Sequence, residues 1–141
     1  MKITLEQAIV LFNIVSKVNL SKADAAVGKV VSWTRKLYPF NKQWNDLQAD
    51  IQKEIDEARK PFAEELQNLS EEDRKKKEME IQYRFQQKVN EIPLVKTQPE
   101  KLKEIVEVDL PLLTDDEYES IAKSFEKMAD STPLLDYLET K

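Results

Sequence analysis

The sequence predicts a mainly α (α+β) fold: a helical bundle built on a long antiparallel helical hairpin, with a small C-terminal β hairpin. Three observations carry this. The 141 residues include one glycine against a large stock of Lys, Glu, Gln and Leu, a composition that favours helix and supplies few of the tight turns an all-β fold needs. The apolar residues Trp44, Leu47, Ile51, Ile55, Ala58, Phe62, Leu66 and Leu69 are spaced 3-4-4-3-4-4-3, an eleven-residue repeat that keeps one stripe along a nearly straight helix. Late in the chain, "IVEVDLPLL" alternates apolar with acidic residues, the period of a half-buried strand.

Length suits a single domain, 1–141, with a modest core. Its expected parts are N-terminal helices in 1–40, the helical hairpin in 41–91, the β hairpin in 92–113, and a C-terminal helix and tail in 114–141. Thr4 and Gln7 have capping-box spacing, so a helix starts there and runs to Lys17. Ile9, Val10, Leu11, Phe12, Ile14 and Val15 nearly surround it, which predicts cover on more than one side. Ser21 is the expected cap of a second helix that Pro39 closes, with Gly28 marking the close approach of a neighbouring backbone. Pro61 should kink the third helix, since it removes one backbone hydrogen bond and crowds the turn before it.

Ser70, followed by Glu71, Glu72 and Asp73, starts the return helix, on which Met79, Ile81, Tyr83, Phe85, Val89 and Ile92 supply the apolar side. A short connection at 68–70 makes the two helices antiparallel. Lys75, Lys76 and Lys77 sit among acids and read as a solvated hairpin tip. Between Pro93 and Pro111 two short strands are expected, then a helix capped by Thr114 with Glu117. Past Pro133, Leu134, Leu135, Tyr137 and Leu138 form a short final turn that docks or detaches.

The chain has no cysteine and no histidine, which removes thiolate and imidazole nucleophiles, bases and metal sites. No catalytic residue, cofactor or metal ligand is therefore expected, and the protein reads as a non-enzyme. Asp109, Asp115, Asp116, Glu117 and Glu119 are dense enough to raise a divalent-cation site or a carboxylate pair, but Asp115, Asp116 and Glu117 fill a helix's first turn, where acids are expected for capping. A formal charge of -5 spread over both signs argues against duplex nucleic acid as a partner. Glu6, Gln7 and Asn13 interrupt the apolar start, so neither a membrane span nor a leader is expected, and a cytoplasmic protein is.

Two candidate binding sites follow. Trp33, Arg35, Tyr38 and Lys42 lie in an aromatic and basic run that suits a small ligand such as a nucleotide, although aromatics more often supply burial. Val106, Val108, Leu110 and Leu112 share one strand face, and an unpaired edge there would accept a protein partner or a second copy of the chain. The leading expectation is a self-associating protein-protein interaction module, with a nucleotide-sequestering counter-defence protein as the alternative.

Glu107, Val108, Asp109, Leu110 and Pro111, with the following "LTDDEYESI" and the charged helical hairpin before them, resemble small helical proteins of tailed bacteriophages and prophages. The resemblance implies a phage or prophage origin and a bacterial host cell, and carries over no catalytic residue.

Overall fold

The capping box at the first helix forms as its spacing predicts: Thr4 Oγ1 accepts from the Gln7 N–H at 3.1 Å and Gln7 Oε1 accepts from the Thr4 N–H at 2.9 Å. The computed structural model describes residues 1–139, so the last two residues of the expected C-terminal tail lie outside the described residues. The elements run β1 (Lys2–Thr4), α1 (Leu5–Ser16), a 3-10 turn (Asp24–Ala26), α2 (Val27–Gln67), α3 (Glu71–Glu91), α4 (Pro93–Leu102), β2 (Ile105–Glu107), α5 (Asp115–Ala122) and a 3-10 segment (Met128–Tyr137). The fold is mainly α with one small antiparallel sheet. No helix among the described residues is long and apolar enough to cross a membrane.

The chain divides into two compact units, Met1–Trp44 with Leu102–Lys141, and Asn45–Lys101. The first holds the larger core. Ala8, Leu11, Ile14 and Val15 of α1 pack with Val30, Trp33 and Leu37 of α2, and with Val108, Leu110, Leu113, Ile121 and Leu134. Each large side chain of this set contributes about 2–3 kcal/mol by leaving water. Val10 is 40% exposed, so α1 is covered along one broad face and not all round. The turn before α2 is built by Asn19, whose Oδ1 accepts from the Ser21 N–H and hydroxyl. Ser21 thus serves that turn, and α2 starts later, at Val27.

The small sheet is not a hairpin. β2 pairs antiparallel with β1 in the register Lys2↔Glu107, Ile3↔Val106 and Thr4↔Ile105. The expected second strand after Pro93 is instead α4: Pro93 sits at the first helical position, where its fixed φ fits and its missing N–H costs nothing. Pairing a terminal segment with residues a hundred positions away leaves no local trace in the sequence.

Pro39 does not close a helix either, since α2 runs through both Pro39 and Pro61. Each proline forfeits one backbone bond. Around Pro39, buried Leu37 and core-packed Phe40 hold the backbone helical on both sides. Gly28 has no close neighbour: a Cβ there would meet nothing within 4 Å, so the expected close packing is absent.

In the second unit, α3 folds back along the C-terminal part of α2. Arg74 Nε donates to the Leu66 carbonyl at 3.2 Å, while further along α3 Arg84 donates to Glu65 at 2.7 Å and Phe85 meets Phe62 edge to face at 5.8 Å. Contacts that move back along α2 as α3 advances make the pair antiparallel. The predicted stripe holds: Ile51 is buried and Leu47, Ile55, Ala58, Phe62, Leu66 and Leu69 are half-buried among exposed neighbours. On α3, Ile81 is buried and Phe85 and Val89 half-buried, but Met79 and Tyr83 are 83% and 64% exposed. Ile81, Phe85 and Val89 make one stripe, and a two-helix seam has room for one.

Candidate functional site

Three side chains one turn apart on α2 grip an extended segment. Lys29 Nζ donates to the Leu112 carbonyl at 2.6 Å, Trp33 Nε1 to Pro111 at 2.7 Å and Lys36 Nζ to Asp109 at 2.6 Å. Positions 29, 33 and 36 share a helix face, and their targets run backward along the segment. Residues 109–112 form no ladder of their own, and α2 supplies the hydrogen-bond donors that their carbonyls lack within the segment. The next residue is tied by the chain's end: the Leu113 N–H donates to Tyr137 and its carbonyl accepts from Glu139. Tyr137 then meets Trp33 edge to face at 5.3 Å, and burial, with the Asp136 charge second, pushes its phenol above the ordinary value.

This arrangement bears on both predicted sites. Trp33 is 1% exposed and is a structural clamp, so it is removed from the ligand site. Its bulk supplies burial while its N–H has an internal acceptor. Arg35, Tyr38 and Lys42 are exposed and follow one another at helical spacing, on a face away from Trp33. Of the strand residues proposed for a partner, Val108 and Leu110 are buried, at 7% and 2%, and Val106 packs against the same core. Only Leu112 is exposed, at 41%. The predicted partner face is thus largely the protein's own core, because the alternation marks burial without naming what covers it.

The acids near 115 behave as a cap. Thr114 Oγ1 accepts from the Glu117 N–H at 3.2 Å and Glu117 Oε1 accepts from the Thr114 N–H at 2.9 Å. Lys29 closes on the same carboxylate at 2.6 Å, with Glu139 at 3.7 Å. Burial draws the Glu117 carboxyl upward, but the hydrogen bonds from Lys29 and Thr114 outweigh it and leave it below the ordinary value. Lys29 is raised, first by its bond to Glu117. Among the described residues no group of three acidic side chains is placed to hold a metal ion.

Two open apolar hollows bear on these residues. One of about 680 Å3, in the hairpin, is lined by Phe62, Ala63, Leu66, Met79, Tyr83 and Phe85 among others. Arg59 and Arg84 lie over the rings of Phe85 and Phe62, 5.4 and 5.9 Å from their centroids, so cations shield the aromatics at its edge. Sequence reading missed this site by turning Met79 and Tyr83 inward; the period-four run Ile81, Phe85, Val89 was the signal that they lie outside the seam. The second hollow, about 530 Å3, contains Arg35 and Tyr38 and lies between the end of α1 and α2. Neither protein-family models, nor curated proteins, nor solved structures give a match to this chain.

Proposed function

We propose that this protein is a non-enzymatic interaction module that self-associates through its helical hairpin. The observation that carries the reading is the exposure of Met79 and Tyr83, at 83% and 64%, beside the open hollow of Phe62 and Leu66. Knob and hole on one surface are self-complementary under a two-fold axis, the commonest symmetry of soluble homo-oligomers.

Charge favours a second copy over an unrelated chain. Nine of the ten residues 71–80 are charged, against two of the ten residues 81–90. A two-fold axis at the level of Ile81 brings Met79 and Tyr83 of each copy over the same hollow of the other, and sets the charged half of α3 against the neutral half. Like charges are then kept apart while the apolar knobs are covered. The resemblance of Glu107 to Pro111 and the following "LTDDEYESI" to small phage proteins supports placing such a module in a tailed phage or prophage, acting in the bacterial cytoplasm.

Sedimentation velocity of the full chain over about 1–100 μM should show a dimer, and Met79→Lys with Tyr83→Lys should return it to monomer. Leu112→Lys, on the strand side, should leave the dimer intact. A monomer throughout, or a dimer indifferent to the hairpin substitutions, overturns the reading.

A further inference from the structure

Between Asp24 and Asp46 the chain has no acidic residue but four cations, Lys29, Arg35, Lys36 and Lys42. In a chain of net charge -5 this is a local inversion of sign. Lys29 and Lys36 are turned to the 109–112 carbonyls. Arg35 has another surrounding: it lines the hollow of about 530 Å3 beside Val15, Val18, Leu20, Val31 and Tyr38. The floor is apolar and buried, with Val15, Val18 and Val30 3%, 9% and 3% exposed, and the rim of Leu20, Val31 and Tyr38 is 39–53% exposed. No acidic side chain lines it, and among the described residues no ion pair engages Arg35.

From this geometry we infer a binding site for a free amphipathic monocarboxylate, a second role independent of the hairpin. The volume lies within the roughly 300–1,000 Å3 of small-molecule sites. Aliphatic walls suit an alkyl or alicyclic body, and the single guanidinium suits one carboxylate, which it can bind with two parallel hydrogen bonds. A nucleotide polyphosphate fits poorly, since one lining cation cannot neutralise several charges and Trp33 is unable to stack.

The test is a titration of the 15N-labelled full chain with decanoate, followed by amide chemical shifts. Decanoate should move Val18, Val31, Arg35 and Tyr38 saturably, and Arg35→Gln, a surface change, should weaken it about tenfold. Decanol, with the same alkyl chain and no charge, should bind about tenfold more weakly. The inference is overturned by shifts that never saturate, by shifts confined to the hairpin, by equal responses to decanol and decanoate, or by an unaltered response in Arg35→Gln. An acidic amphipathic peptide that moves the same amides at lower concentration than decanoate also overturns it, in favour of a protein occupant. None of these outcomes depends on the oligomeric state, so failure here leaves the hairpin reading standing.

Discussion

At the scale of residues, Lys29 and Glu117 tie α2 to the cap of α5, and the pair is shielded, with side chains 27% and 13% exposed. Because the folded carboxyl of Glu117 lies below the ordinary 4.5, the unfolded chain binds that proton more readily. The pair's stabilisation is therefore present above pH 4.5 and lost as pH falls through the folded value. For Lys29, raised above 10.5, the sign is opposite: the contribution is complete below that pH and lost as pH rises toward the raised value. Urea unfolding from about pH 3 to 8 should show wild type losing about 1 kcal/mol more than Glu117→Gln on the acid side, since the amide keeps the acceptor but cannot titrate. Superimposable acid limbs in the two proteins would refute this. The pair was not legible in the sequence, where Lys29 and Glu117 lie 88 positions apart, whereas the Thr114–Glu117 box beneath it was, since a cap depends on four consecutive residues.

Among the elements, helix starts were the most legible feature and helix ends the least. Both capping boxes, at Thr4 and Thr114, form where their spacing places them, because the bonds close within one turn. Pro39 is a stop signal and Pro61 a kink signal on the same local logic, and α2 passes through both. Packing on either side outweighs one missing hydrogen bond, but the cost is still carried by the native state. Pro61→Ala restores a donor toward the Glu57 carbonyl, so it should raise stability by about 1–3 kcal/mol, read as a higher urea midpoint. A lowered midpoint would show that the proline's geometry is needed by the hairpin seam. The candidate sites follow the same division. Arg35, Tyr38 and Lys42 could be grouped from helical spacing alone, while the withdrawal of Trp33 required knowing that Pro111 lies against it.

Across the molecule, burial is uneven. The first unit buries a continuous core from Ile3 to Leu134, whereas in Asn45–Lys101 only Ile51 and Ile81 are fully buried. Local opening free energy follows such differences. Hydrogen exchange on dilute protein should therefore find the amides of α3 less protected than those of α1, and raising the protein concentration should slow α3 selectively if copies cover the hairpin. Equal protection in the two helices would contradict both the ranking and its link to assembly.

By itself the sequence determined the helical character, the capped starts of α1, α3 and α5, the stripe from Leu47 to Leu69 and the antiparallel return of α3. All of these rest on interactions between residues a few positions apart, or on a connection too short to allow another direction. Only the tertiary structure decided that β2 pairs with the N-terminal residues, that Trp33 and the Val108–Leu110 face are consumed by the core, and that Met79 and Tyr83 stand outside the seam. Periodicity states that a face is apolar; which surface covers it depends on contacts distant in the chain, and those are settled by packing.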